Sequence, residues 1–147
     1  MKIVIANDHA GIQMKNEIRL YLEEKGHILT NIGVDNSEMC DYPLISEKAA
    51  KMVAENENDL GIIICGTGIG SCIAANKIKG IRAAVCSEPY SAKLSREHNN
   101  ANILTLGARV VGIEYAKMIA DAFIDAEFQG DRHQRRIDMI TDIENKK

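Results

Sequence analysis

Leu60-Gly61-Ile62-Ile63-Ile64-Cys65-Gly66-Thr67-Gly68-Ile69-Gly70-Ser71 is the stretch that decides the fold. Its first half is strand-sized and apolar on both faces, as a strand buried in a parallel sheet must be. Its second half carries three alternating glycines, which turn the chain tightly into whatever follows. A strand that passes through glycines into a helix is one βα unit, and the same alternation recurs along the chain. The other strand candidates are Lys2–Ala6, His27–Ile32, Ile81–Cys86 and Ile103–Leu106. Between them, Ile12–Lys25 sets Met14, Ile18, Tyr21 and Leu22 on one side of a helix that Gly26 closes. Pro43 and Pro89 each stand where a first helical turn welcomes proline. Further helices are predicted over Gly70–Lys79 and Gly112–Ala126, and a last one runs from Asp131, as N-cap, towards Glu144. Right-handed crossovers then predict a single domain over residues 1–147, of α/β class. Its form is a doubly wound, parallel, five-stranded sheet, Rossmann/flavodoxin-like, in the order 2-1-3-4-5.

Composition agrees with that fold and removes several functions. A chain of 147 residues, 46% hydrophobic and 27% charged, is long and apolar enough for a real core. A net charge of −3, no tryptophan and 4% aromatic residues leave neither the basic surface nor the stacking platforms of a nucleic-acid binder. Met1-Lys2-Ile3-Val4-Ile5 meets charge at Asp8 without a signal-peptide apolar region, so a cytoplasmic location is expected. The apolar runs fall short of the roughly 20 residues of a membrane helix, so no membrane partner is expected. Cys40, Cys65, Cys72 and Cys86 lack zinc-site spacing and read as free thiols.

In a doubly wound sheet the ligand crevice opens at the carboxyl ends of the strands beside the switch point, here the first and third. The first ends in Asn7-Asp8-His9-Ala10-Gly11 and the third in the glycine run. Alternating glycines before a helix aim several N–H groups at one place, which suits a phosphate or a developing oxyanion. The run lacks the Lys-Ser/Thr ending of a P-loop and departs from the dinucleotide fingerprint. Glu88, at the offset of a ribose-binding acid, keeps a nucleotide-binding regulatory module as the alternative. A plain tight turn is the bland reading of the same glycines. Cys65 stands at the mouth of the nest, where helix dipole and N–H groups favour a thiolate able to take a proton; elsewhere a cysteine is more often a small buried hydrophobe. That leaves a thiol redox protein as a further class, though Cys72 offers no paired motif.

His98 lies in Ser95-Arg96-Glu97-His98-Asn99-Asn100, too polar for core and rich in groups that bond sugar hydroxyls, so it suits a general acid or base. On the last helix Arg132, Arg136, Ile140 and Ile143 fall within roughly 80° of one another, which predicts a docking stripe carrying two guanidinium groups. Arginine forks match phosphate, although an acidic side chain would also satisfy them. Arg109 follows the fifth strand and is expected at the same edge.

Together these residues resemble the sugar-phosphate isomerase family that includes ribose-5-phosphate isomerase B and galactose-6-phosphate isomerase. The likeness covers nearly the whole chain. It rests on Asn7-Asp8-His9-Ala10-Gly11, Asp41-Tyr42-Pro43, the run from Cys65 to Ser71, Ala74-Ala75-Asn76-Lys77, Gly80-Ile81-Arg82-Ala83-Ala84, Ser87-Glu88-Pro89-Tyr90, Glu97-His98-Asn99-Asn100 and Arg132-His133-Gln134-Arg135-Arg136. The resemblance implies interconversion of ribose 5-phosphate and ribulose 5-phosphate without cofactor or metal, in a homodimer whose sites combine both subunits. It implies that Cys65 moves the proton between C1 and C2, with Thr67 close by, and that His98 assists ring opening. Asp8 and Asn99 would hold sugar oxygens, and Gly66, Thr67, Gly68, Ile69 and Gly70 would supply the enediolate donors. His9, Arg109, Arg132 and Arg136 would hold the phosphate, the last two from the partner subunit. One branch of the family uses a glutamate in the glycine loop; Ser71 here indicates the cysteine branch.

Overall fold

In the computed structural model, which describes residues 1–146, the middle of the sheet is β3 (Leu60–Cys65), buried along its whole length. On one side it pairs in parallel with β1 (Lys2–Asn7), and β1 pairs with β2 (Ile28–Asn31). On the other side it pairs with β5 (Ile103–Gly107), which pairs with β4 (Ala83–Val85). The order is β2-β1-β3-β5-β4, so the expected order 2-1-3-4-5 is corrected at its last two places. Composition explains the exchange. β5 is buried from end to end and takes an interior position, whereas β4 is only 3 residues long, with Val85 exposed, and tolerates the edge.

The helices are α1 (Ile12–Glu24), α2 (Tyr42–Ala54), α3 (Ile69–Ala75), α4 (Pro89–Asn99), α5 (Ile113–Ile124) and α6 (Asp131–Asn145). Alternation along the strands divides the core. Ile3, Ile5, Ile62, Ile64, Leu104 and Leu106 pack with Met14, Ile18 and Leu22 of α1 and with Ala116, Ile119 and Phe123 of α5. Val4, Ala6, Ile63 and Ile103 pack on the other face with Ala49, Ala50 and Val53 of α2 and Ala75 of α3. Each fully buried isoleucine or leucine contributes about 1.5–3 kcal/mol, which makes these layers the main source of stability.

Two helix boundaries differ from expectation for identifiable reasons. α3 ends at Ala75 rather than Lys79 because Asn76 donates Nδ2–H to the Ala83 carbonyl at 2.9 Å and accepts the Ala83 N–H at 2.8 Å, tying the chain to β4. The N-cap of α6 is Gly130, with φ 66°, not Asp131. Among the described residues no helix is long and apolar enough to cross a membrane.

Candidate active site

The carboxyl edge of the sheet carries the first group of expected residues. β1 delivers Asp8, whose N–H donates to the Ile64 carbonyl at 3.1 Å, so its carboxylate emerges beside the end of β3. Asp8 Oδ1 accepts the Ala10 N–H at 2.9 Å, which orients the carboxylate, and neighbouring His9 keeps a buried Nδ1 without a hydrogen-bond partner. Cys65 is 4% exposed, yet it belongs to neither apolar cluster. Its sulfur turns to the glycine loop and accepts the Gly68 N–H at 3.1 Å.

The loop's shape depends on its glycines. Gly68 has φ 80°, and a Cβ there would stand 3.0 Å from the Leu106 carbonyl carbon and from Val85 Cγ2. Thr67 is exposed at the loop tip, its Oγ1 accepting the Ile69 N–H at 3.3 Å. Gly70 and Ser71 fall in the first turn of α3, where N–H groups have no intrahelical acceptor. Arg109 reaches the same loop: its N–H donates to the Gly66 carbonyl at 3.0 Å, and Nη1 lies 3.6 Å from where a Gly66 Cβ would be.

Sequence reasoning missed what roofs this loop. The Tyr42 ring covers Gly70 so closely that a Cβ there would meet its Cζ at 2.5 Å. Tyr42 arrives through residues 33–41, which are anchored where Asn7 Nδ2 donates to the Val34 carbonyl at 3.0 Å and where the fully buried Lys15 pairs with Asp35. The Asp41-Tyr42-Pro43 motif marked the tyrosine; nothing in the helical pattern marked Lys15.

The second group lies at the opposite edge. Parallel topology makes α4 run from the carboxyl edge back to the amino edge, so His98 and Asn99, which end it, are delivered far from Cys65. The backbone confirms the level: Gly61, near the start of β3, donates its N–H to the Asn102 carbonyl at 2.9 Å. Cys65 stands four residues further along β3, about 13 Å at roughly 3.3 Å per residue. Within one chain, Cys65 and the His98–Asn99 pair are therefore not brought together.

α6 joins this amino edge. The His98 and His133 rings stack with centroids 4.3 Å apart and planes 6° apart, and Gln129 donates its N–H to the Glu97 carbonyl at 3.0 Å. Burial, then the nearby charges of His98, Arg132 and Arg136, hold the His133 imidazole below its usual pKa. Its Nε2 is buried without a partner. The expected docking stripe is displaced: α6 packs through His133 and Ile137, while Arg132, Arg136, Ile140 and Ile143 are exposed. The two exposed arginines form no ion pair among the described residues, and they lie across the sheet from Arg109 rather than beside it.

Two competing readings lose their supports. Glu88 is the N-cap of α4: hydrogen bonding with Ser91 holds its carboxyl below the usual carboxylate range, and it accepts the N–H groups of Tyr90 and Ser91 at 2.6 and 2.7 Å. A carboxylate so engaged is spent on the helix. All four cysteines are free, and burial raises the Cys72 thiol and pushes Cys86 up to about 11, so neither is an activated resolving thiol.

Comparison with known proteins follows the same lines. Residues 3–140 match the Ribose/Galactose Isomerase family. The chain is 52% identical over 146 residues to ribose-5-phosphate isomerase B of Escherichia coli (strain K12), covering 99% of this chain and 98% of that one. The solved ribose-5-phosphate isomerase B of Clostridium thermocellum superposes with a TM-score of 0.98 at 51% identity, covering 99% of each chain. That of Mycoplasma genitalium, solved with bound ribulose-5-phosphate, gives a TM-score of 0.96 at 42% identity, over 99% of this chain and 97% of that one.

Proposed function

The chain belongs to the ribose/galactose isomerase family, and from that premise we propose that it interconverts ribose 5-phosphate and ribulose 5-phosphate. The observation that carries the reading is the Cys65 sulfur held against Gly68 N–H, beside Asp8 and under a loop of backbone donors. A proton α to a carbonyl is weakly acidic, so a base alone is insufficient. Donors aimed at the developing enediolate can each lower the barrier by about 3–4 kcal/mol.

In this mechanism the Cys65 thiolate takes the proton from C2 of the open aldose, and the electron pair moves onto the C1 carbonyl oxygen. The amides of the run from Gly66 to Gly70 meet that charge, with Thr67 next to the transfer. The proton of the C2 hydroxyl passes to the C1 oxygen, and Cys65 then returns its own proton to C1 as the carbonyl re-forms at C2. One carbon is reduced as the other is oxidised, so no external redox partner enters the balance. Before this, His98 assists cleavage of the C1–O4 bond of the furanose by moving the proton between its oxygens. Asp8 and Asn99 hold sugar oxygens, while His9, Arg109, Arg132 and Arg136 hold the phosphate.

Such a site needs both edges of the sheet, and a second copy of the chain supplies what one copy separates. In this homodimer, Cys65, Asp8, His9 and Arg109 of one subunit face His98, Asn99, Arg132 and Arg136 of the other. The exposed arginines, without an ion pair among the described residues, and the exposed Ile140 and Ile143 on the same helix support this arrangement. A direct assay in both directions, with a chelator present, tests the function. Interconversion of the two pentose phosphates is expected, and its absence in folded protein defeats the reading.

A further inference from the structure

The turn after His98 and Asn99 is held by more bonds than a helix end requires. Asn100, with φ 46°, already closes α4: its N–H donates to the Arg96 carbonyl at 3.0 Å, and the Ala101 N–H donates to the Ser95 carbonyl at 2.9 Å. Two guanidinium groups then grip the following residues. Arg82 Nε–H donates to the carbonyl oxygens of Asn99 at 3.1 Å and Asn100 at 2.9 Å. Arg96 Nη1–H donates to Asn100 Oδ1 at 3.1 Å and to the Ala101 carbonyl at 2.7 Å.

Arg82 is itself fixed at the entrance to β4. Its N–H donates to Asn102 Oδ1 at 2.8 Å, and its carbonyl accepts the Asn102 N–H at 3.0 Å. Both arginines are half-buried and close enough to feel each other's charge. Like charges are tolerated there because the carbonyl end of a helix carries partial negative charge. Water satisfies the carbonyls of an ordinary exposed turn. What a rigid, two-sided grip adds is a fixed position for the residues just before it.

We propose that Arg82 is a positioning residue, which, together with Arg96, holds the turn that aims the His98 ring and the Asn99 amide. The consequence for turnover rests on the isomerase reading; the grip itself does not. Misplacing a reacting group by about 1 Å can cost up to about a hundredfold in rate, so losing one of two clasps has room for a sizeable effect.

The test is Arg82→Met, read by histidine NMR and by kinetics. The chain has only four histidines, His9, His27, His98 and His133, so their ring signals are separable. The His98 signal, with that of its stacked neighbour His133, should shift or broaden while His9 and His27 stay in place. Turnover of ribose 5-phosphate should fall about tenfold, and Arg82→Lys, which retains a donor, should recover part of both. An unmoved His98 signal, or a His27 signal that moves with it, would overturn the proposal, the second because it marks a general loss of structure. Should the methionine variant fail to fold, Arg82→Lys carries the same comparison, with a smaller displacement of His98 expected and none overturning it. A wild-type protein without isomerase activity would defeat the function alone, since the NMR displacement still reads the clasp.

Discussion

The two edges of the sheet carry complementary chemistry. At the carboxyl edge stand a sulfur, a carboxylate and a loop of backbone donors; at the amino edge stand two stacked imidazoles, an amide side chain and exposed guanidinium groups. In the proposed function the first edge supplies the base and the place where negative charge develops. The second carries the exposed guanidinium groups of Arg132 and Arg136. Their construction differs too: the carboxyl edge is shaped by glycines in a tight loop, the amino edge by side-chain bonds around a helix end. The two groups are separated along β3 within one copy, and the proposed function brings them together by pairing two copies.

The sharpest break would come at the sulfur. Cys65→Ala should leave the fold intact and lower turnover by about a thousandfold, within the usual range for removing a proton-transfer group. Near-wild-type isomerisation by a purified, folded variant would take the carboxyl edge out of the chemistry.

The next effect joins the edges. His98→Ala should cost about a hundredfold. When Cys65→Ala and His98→Ala subunits are unfolded and refolded together, random pairing makes half of the dimers mixed, each with one intact site. Activity should then return to about a quarter of wild type. Mixing that restores nothing would show that the two residues do not meet across copies.

Arg136→Ala sharpens the comparison further, because in the proposed function it removes only grip. A KM for ribose 5-phosphate raised about tenfold, with turnover nearly kept, is expected for loss of a remote anchor. Unchanged phosphate-substrate kinetics would remove α6 from the site.

The smallest effect concerns stability and pH. Folded His133 binds its proton less readily than the free imidazole value of 6.5, so the unfolded chain takes up more protons as pH falls. Its contribution is full above about 6.5 and is lost as pH drops below that value. Thermal melting between pH 7.5 and 5.5 should fall, and His133→Phe, which keeps a stackable ring, should flatten the slope. An identical slope in that variant would assign the acid sensitivity elsewhere.

The carboxyl edge was legible because it is local. Asp8, His9 and the run from Cys65 to Gly70 each follow a buried strand directly, so a correct strand places them without further geometry. A motif marked Tyr42 but not its place over Gly70, which it reaches from the start of α2, and nothing marked Lys15, an amine on a helix face that its sequence neighbours do not distinguish. The stripe on α6 was misplaced because helical periodicity gives relative angles, not which angle meets the protein. His133 and Ile137 turned out to face inward.

The sequence by itself determined the βα alternation, the buried strands and the glycine nest, since each is written in short-range apolar and glycine patterns, and its motifs carried the resemblance to the isomerase family. Tertiary structure alone decided that β5 sits inside β4, that Glu88 caps a helix, and that Cys65 and His98 occupy opposite edges. Those outcomes depend on which strand better fills the interior and on the direction in which a crossover helix returns, and both are properties of the assembled sheet rather than of any one segment.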